Sequence, residues 1–267
     1  MELPRRERGD ELLRPGELSD LRQRLRRIAA RHDLASVIAC AFDHRTRMLP
    51  FIYADLHMAP AGVRAIGSAM ADVGFDKTRI VLQQWNRNFR PAHMRLDGRM
   101  PDLFLVSSMQ IHSAAFRVLI RDACVIDPAF RPLIIAGGPL VNYEPWGAFI
   151  GDARDPWSAD VAVTGEEFVL LSLLEILLSE RAADESLRAT FLRARDAGIL
   201  DSVPGLVFAR MQRDGSIESL VDTGVQRLLG DLDELPHPVH GYRLLEPPGR
   251  RTTLASQALP PDSVKRY

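Results

Sequence analysis

Three short runs of small and polar residues each follow an apolar segment of this chain, and their residue types suit contact with a ligand. The runs are Ser107-Ser108-Met109, Gly137-Gly138-Pro139 and Gly165-Glu166-Glu167. Glycine pairs let the backbone approach a flat ligand closely, because no Cβ intervenes. Serine hydroxyls both donate to and accept from amide and phosphate groups. We therefore expect the three runs to form a binding site, whereas no nucleophile, base and acid stand out as a catalytic set.

Each run also has a purely structural interpretation. The pair Gly137-Gly138 is compatible with an ordinary tight turn. Glu166 or Glu167 is compatible with the N-terminus of a helix, where carboxylates are favoured. Met109 suits core packing as well as contact with a ligand. The sequence leaves these alternatives open for each residue taken alone.

The elements that carry the runs alternate between apolar strands and helices. The pattern predicts strands over 36–42, 79–85, 102–108, 132–138 and 159–165, and helices over 60–75, 114–126 and 166–180. Continuously apolar strands between helices predict an α/β fold that is doubly wound, Rossmann-like or flavodoxin-like, with helices on both faces of a parallel sheet. Ligands of such sheets bind outside the carboxyl ends of the strands, where the three runs stand.

Changes in pattern divide the chain into four parts. Residues 1–34 are expected to form a helical arm, and residues 35–182 the Rossmann-like domain. Residues 183–229 read as a helix and a β-hairpin with Asp214-Gly215 as its turn. Residues 230–267 are rich in proline and charge, which is typical of a linker.

Composition excludes several classes of protein. The 267 residues carry a formal net charge of -1, which argues against a nucleic-acid partner. No apolar run approaches the roughly 20 residues of a membrane span, and the N-terminus lacks the apolar region of a signal peptide. The two cysteines, Cys40 and Cys124, lie in apolar stretches, as reduced thiols of a cytoplasmic protein do.

Six segments in a fixed order resemble the N-terminal cobalamin-binding domain of cobalamin-dependent radical-SAM proteins. They are MAPAGVRAIGSAMADVGF, DLFLVSSM, LIIAGGPLVNYEP, ADVAVTGEE, PGLVFARMQRDGSIES and LDELPHP. The resemblance covers about residues 37–238. It implies that the chain binds cobalamin, and that the corrinoid is positioned for methyl transfer or related radical chemistry in a methyltransferase of the radical-SAM class. The cofactor-binding residues that it implies are Ser107, Ser108, Met109, Gly137, Gly138, Pro139, Gly165 and Glu166.

Two departures from the family pattern concern metals. The [4Fe–4S] cluster and S-adenosylmethionine belong to a barrel with a CxxxCxxC loop, which this sequence lacks. Two cysteines are too few for such a cluster. The barrel is therefore expected either in cis, beyond a truncation that follows the 230–267 linker, or in trans as a separate chain. This chain alone is then expected to bind cobalamin without catalysing a reaction.

The second departure lies in the loop that carries the cobalt-ligating histidine in classical cobalamin domains, D-x-H-x-x-G. Here Asp55 and His57 match, but the glycine arrives only at Gly62. His57 is the candidate axial ligand of cobalt, with Asp55 orienting its ring. It is otherwise an ordinary loop histidine. His112, which follows the serine run, is a second histidine that could face the ligand.

Two other functions remain open. A doubly wound nucleotide-dependent enzyme, such as a glycosyltransferase or a flavodoxin-like oxidoreductase, would use the same strand ends. The phosphate-binding patterns G-x-G-x-x-G and the P-loop are absent, which weakens that interpretation. The third alternative is an interaction domain that has kept the fold and lost the ligand.

Overall fold

The computed structural model describes residues 11–45, 59–149, 157–212, 216–249, 252–257 and 259–260. Its α-helices are α1 (Glu17–Ala29), α2 (Ala61–Asp72), α3 (Ser113–Cys124), α4 (Pro139–Tyr143), α5 (Glu167–Glu180) and α6 (Leu187–Asp196). Its strands are β1 (Ala35–Cys40), β2 (Lys77–Leu82), β3 (Arg95–Leu96), β4 (Leu103–Ser107), β5 (Leu133–Gly137), β6 (Val161–Val163), β7 (Leu206–Met211), β8 (Ile217–Asp222) and β9 (Thr253–Leu254). The predicted strands and helices of the α/β region are present, with bounds shifted by a few residues.

Seven strands form one mixed sheet in the order β2-β1-β4-β5-β6-β7-β8. The first five strands in this order, β2, β1, β4, β5 and β6, are mutually parallel. Strand β7 pairs antiparallel with β6, and β8 pairs antiparallel with β7. The chain leaves β1 to form β2 on one side and returns to form β4 on the other. This reversal is the topological switch point of a doubly wound sheet. The predicted α/β fold with a mostly parallel sheet is confirmed.

Helices cover both faces of the sheet, because successive strand side chains alternate between two apolar cores. Ile38 and Leu105 point into the core that is covered by α1, α2, α5 and α6. Val37 and Phe104 point into the opposite core, beneath α3 and α4. The nearly continuous burial of β1 and β4 explains why their sequences show no polar alternation.

The N-terminal arm is part of the first core. Leu18, Leu21 and Leu25 lie on one face of α1, and each is at least nine-tenths buried. Their spacing of three and four residues places them on a single helical stripe, which packs against α5. The arginines of α1 lie mainly on its other face, where Arg22 and Arg26 bind Asp72 of α2.

The hairpin belongs to the same sheet. β7 pairs with β6 from Val161 opposite Phe208 to Val163 opposite Leu206. Both Leu206 and Phe208 are fully buried in the first core. The predicted turn residues Asp214 and Gly215 lie outside the described residues.

The segment predicted as a linker packs, in its described part, against the α/β region. Residues 232–246, called the strap below, include a 3-10 helix, Pro238–Leu244, that lies on α2. Leu245 then forms a parallel bridge to Ile80 of β2. Strand β9 pairs with β3 at the other face of the molecule. The proline-rich composition hid these contacts, because only two leucines of the strap, Leu244 and Leu245, are buried.

A buried ion pair anchors the strap. The Arg79 Nε lies 3.7 Å from a Glu246 carboxylate oxygen, and both side chains are at most 3% exposed. The Arg79 guanidinium also donates to the carbonyl of Arg243 at 3.2 Å. Gly241 meets α2 so closely that an added Cβ would lie 2.5 Å from the Arg64 carbonyl oxygen.

None of the described helices combines the length and the apolar character that crossing a bilayer requires.

Candidate functional site

The three predicted runs meet at one cleft on the carboxyl edge of the sheet. Ser107 ends β4, Gly137 ends β5, and Gly165-Glu166 follows β6. All of these residues, together with Gly138 and Pro139, line the cleft. They converge because parallel strands present their carboxyl ends on one edge. The strands β1, β4, β5 and β6 all contribute, so the cleft lies at and beside the switch point.

The deeper part of the cleft, called the inner slot, runs between the sheet and helices α2 and α5. Its volume is about 230 Å³. The sheet side is formed by four apolar side chains, one from each strand: Ile38, Leu105, Ile135 and Val163. The helix side includes Val63, Ile66 and Leu170. The inner slot is therefore an apolar space that reaches into the first core.

Small residues on the first turns of α2 keep the slot open. Gly62 and Ala65 line it from the helix side. An added Cβ at Gly62 would meet no heavy atom within 4 Å, and the backbone there is not left-handed. A larger side chain at Gly62 would therefore enter the cleft without straining the helix.

The cleft continues outward into a second compartment, the outer groove, with a volume of about 530 Å³. The outer groove lies between the start of α2, the start of α5 and the strap. Gly62, Ala65, Glu166 and Glu167 line both compartments. The strap contributes Leu232, Asp233, Leu235, Pro236, His237 and Pro238.

Gly138 joins the first two runs to each other. Its φ of +84° is left-handed, and an added Cβ would collide with the Ser107 hydroxyl oxygen. The carbonyl of Ser108 accepts a hydrogen bond of 2.9 Å from the N–H of Leu140. The two turns are therefore fixed against one another by main-chain contacts, and Gly138 serves that packing.

Gln226 fixes the third run. Its side-chain oxygen accepts a 2.6 Å hydrogen bond from the N–H of Glu166. The same amide lies against Gly165, where an added Cβ would collide with it. An N–H at the start of α5, a place where phosphates commonly bind, is thus already occupied by a protein side chain.

Two of the predicted residues lie away from the cleft lining. Ser108 is 2% exposed and its hydroxyl donates to the carbonyl of Met109 at 2.8 Å. Met109 is 43% exposed and stands outside both compartments among the described residues. Ser108 therefore shapes the turn, and Met109 lies on the rim of the carboxyl edge.

The described lining of the cleft carries carboxyl groups. Glu166, Glu167 and Asp233 line it, and no Lys or Arg belongs to the lining within the part of the chain that the structure describes. Burial raises the pKa of Glu167, and the nearby Glu166 carboxyl raises it further. The cleft is thus apolar inside and acidic at the point where its two compartments meet.

His57 and Asp55 lie outside the described residues, so the predicted axial ligand has no structural description. His112 is buried, and its Nδ1 accepts a 3.2 Å hydrogen bond from the N–H of Asp43. Its ring packs against Phe42 with centroids 4.6 Å apart. Burial lowers the pKa of His112. With Nδ1 accepting, the neutral ring carries its proton on Nε2, and His112 lies outside the described lining of the cleft.

The two cysteines lie in different cores. Cys40 packs against the first core and Cys124 against the second. Burial raises the pKa of the Cys40 thiol to about 12 and also raises that of Cys124. Thiolate is the form that binds metals, so the two residues act as neutral packing groups.

Asn142 and Glu167 are two polar lining residues that were not predicted as binding residues. Asn142 reaches the cleft from the short helix α4, four residues after Gly138. Glu167 had an open assignment between capping and binding, and the structure places it in the lining of both compartments. A helical spacing after the glycine pair would have indicated Asn142, but α4 is too short to show a periodic pattern.

No protein-family model matches this chain, and neither a curated protein nor a solved structure shows significant similarity to it.

Proposed function

We propose that this chain is a cobalamin-binding module. One observation carries the proposal: the turns after β4, β5 and β6 meet at a cleft whose apolar inner slot extends beneath α2. A corrinoid is a broad, amide-decorated molecule with one long nucleotide tail. The glycine and serine turns offer a close approach for its body, and the slot offers room for an apolar group.

The residues of the cleft fit such a group. The slot remains open in the folded chain, although its lining side chains are those of a core. Its polar groups stand only at the mouth, where Ser107, Asn142 and Glu166 supply hydroxyl, amide and carboxyl functions. A large ligand with an apolar end and a periphery of amides matches that distribution.

In this proposal the chain's own residues bind and orient the cofactor. Ser107 and Asn142 hydrogen-bond to its peripheral groups, while Ile38 and Leu170 exclude water from the slot. The bound cofactor would supply methyl-transfer or related radical chemistry. The finer part of the proposal is that this occurs with a radical-SAM barrel, in cis or in trans, that holds the [4Fe–4S] cluster and S-adenosylmethionine. The proposed module would work in the cytoplasm.

A nucleotide-dependent enzyme is less well supported. Phosphate groups of nucleotides are usually held by free N–H groups at a helix N-terminus or by Lys and Arg. Here Gln226 accepts from the Glu166 N–H, and the described lining contributes carboxylates in place of cations. Nucleoside diphosphates and flavin mononucleotide would meet repulsion at that point.

A ligand-free interaction domain is also less well supported, because apolar side chains that face an open slot stay in contact with water. Apolar surface left in water forgoes about 25 cal/mol per Å². A fold that no longer bound a ligand would gain stability by filling the space, and Gly62 offers an unobstructed position for a larger side chain.

Titration with hydroxocobalamin tests the proposal. The full chain is expected to change the visible spectrum of the corrinoid and to retain it through gel filtration. Flavin mononucleotide and nucleoside diphosphates serve as comparison ligands in a thermal-shift assay. Retention of a nucleotide without any retention of hydroxocobalamin would contradict the proposal.

Replacement of Gly62 tests whether the observed cleft is the binding site. Gly62→Trp adds a large ring at a position where a Cβ meets no heavy atom within 4 Å, so hydroxocobalamin binding should fall by about 100-fold or more, or about 3 kcal/mol. Gly62→Ala is the matched control: it should retain binding, and alanine in a helix is favoured over glycine by roughly 0.5–1 kcal/mol. Equal binding by the wild type and Gly62→Trp would place the ligand elsewhere.

A further inference from the structure

Glu167 is a buried carboxyl group at the junction of the inner slot and the outer groove. It is the first residue of α5 and is 6% exposed. It lines both compartments, so its side chain stands where a ligand that occupies the cleft would pass. Buried carboxyl groups are rare unless they are paired.

The protein supplies this carboxyl group with few partners. Its own backbone N–H donates to it, and its side chain shares a hydrogen bond with the neighbouring Glu166 carboxyl. No Lys, Arg or His in the described part of the chain forms an ion pair with it. A carboxyl group has two oxygens, so Glu167 can bind a further donor and acceptor beyond these contacts. Glu167 is therefore suited to a partner that the ligand brings.

We propose that Glu167 binds a primary carboxamide of the ligand through a two-point hydrogen bond. When the ligand binds, the protonated carboxyl redirects its O–H from Glu166 to the amide carbonyl, and its own carbonyl oxygen accepts from the amide N–H. This inference rests on the proposed function, since a corrinoid carries carboxamide side chains at its periphery. It assigns Glu167 a role in selecting amide-bearing ligands over phosphorylated ones.

The surroundings favour the protonated carboxyl. Burial is the main cause that raises the pKa of Glu167 above its ordinary 4.5, and the carboxyl of Glu166 adds to it. The other titratable groups of the cleft are Asp233 and His237 on the strap. The first turns of α2 contribute Ala61, Gly62 and Ala65, which do not titrate.

The sign of the pH dependence follows directly. The proton is present below the pKa of Glu167 and is lost as pH rises through it. Ligand binding should therefore be tight on the acid side and weaken as pH rises. Glutamine keeps one donor and one acceptor in the same place at every pH, so Glu167→Gln should remove this dependence.

The experiment measures the dissociation constant of hydroxocobalamin in a series of buffers that starts near the ordinary glutamate pKa of 4.5 and extends to neutral pH. For the wild type we expect the affinity to fall about tenfold as pH rises, which corresponds to the loss of one hydrogen bond. Glu167→Gln should bind equally well across the range. Glu167→Ala should bind about tenfold more weakly than the wild type on the acid side.

Two further variants test whether the pH dependence belongs to Glu167. The pH dependence should persist in His237→Gln, which removes the histidine of the outer groove. Glu180→Gln alters an exposed carboxyl at the far end of α5 and should match the wild type. Far-UV circular dichroism confirms that each variant is folded, and Glu167→Gln decides the matter if Glu167→Ala unfolds.

The outcomes separate this inference from the proposed function. If the wild type binds hydroxocobalamin but Glu167→Gln keeps the same pH dependence, the inference is overturned and the proposed function stands. If the wild type fails to bind at any pH, both fall together.

Discussion

At the scale of single residues, all but one of the glycines in the described cleft lining contact protein rather than open space. The sequence suggested that Gly138 lets a ligand approach the backbone. The structure shows that its missing Cβ leaves room for Ser107 and Ser108 of the neighbouring turn. Gly165 similarly leaves room for Gln226. Among these glycines, only Gly62 faces unoccupied space.

We expect Gly138→Ala to destabilise the protein. Its left-handed φ of +84° and the collision with the Ser107 hydroxyl both oppose a side chain there, and the left-handed backbone alone costs roughly 1–2 kcal/mol. Urea denaturation measures the loss. Gly147→Ala is the matched control, because Gly147 has open space and no positive φ.

A Gly138→Ala variant as stable as Gly147→Ala would show that the turns after β4 and β5 are not fixed against each other. Loss of cobalamin binding by a Gly138 variant would not by itself identify a ligand contact. The Gly62 variants are therefore the sharper test of where the ligand binds.

Residue types and spacing predicted six of the eight proposed binding residues to within the cleft lining. The prediction worked because each lies within three residues of the end of a parallel strand, where topology alone dictates position. Ser108 and Met109 were predicted as binding residues but lie outside the cleft lining, because the direction of a side chain after a strand end depends on the turn. The contribution of Asp233 to the acidic lining was not predicted either, because this residue comes from a distant part of the chain.

At the scale of elements, the strap covers an edge of the sheet. β2 is the outermost strand on its side, and Leu245 pairs with Ile80 there. The N–H of Glu246 donates to the carbonyl of Ile80 at 2.8 Å. The buried ion pair between Arg79 of β2 and Glu246 of the strap adds a side-chain contact to this pairing.

We expect Glu246→Ala to destabilise the protein by about 3–5 kcal/mol, because it leaves the buried Arg79 guanidinium without its carboxylate. Thermal or urea unfolding measures the change. Asp201→Ala is the comparison: it breaks the exposed pair with Arg210 and should cost about 0–1 kcal/mol. Similar losses for the two variants would mean that the strap adds little to stability.

The sequence could not show the strap's role. Strands β1, β4 and β5 can be predicted from their continuous apolar runs, which are visible in the local sequence alone. The strap depends instead on one ion pair between residues far apart in sequence and on the close approach of Gly241 to α2. Its proline and charge content is equally typical of an unattached linker.

At the scale of the whole molecule, the parts named arm, α/β region, hairpin and strap share a core. Leu25 of α1, Phe208 of β7 and Leu244 of the strap all belong to the first core. Buried apolar contacts that cross these boundaries couple the parts energetically. We therefore expect the described chain to unfold as one unit.

Leu25→Ala tests this coupling. The residue is fully buried on α1, so the variant should lose about 2–5 kcal/mol in a single transition. Far-UV circular dichroism and tryptophan fluorescence should give coincident curves. Val118→Ala, at a position that is 62% exposed on α3, should change the midpoint little. Separate transitions would show that α1 is an independent arm.

The strap over β2 also bears on how copies of this chain meet. An uncovered outer strand offers a row of main-chain donors and acceptors to any other extended chain. Here the Ile80 carbonyl is already taken by Glu246, so intermolecular growth of the sheet is blocked at that point. The same fifteen-residue segment therefore lines the outer groove of the cleft and covers a strand edge at which copies of the chain could otherwise associate. A fragment cut before the strap would lose both properties together.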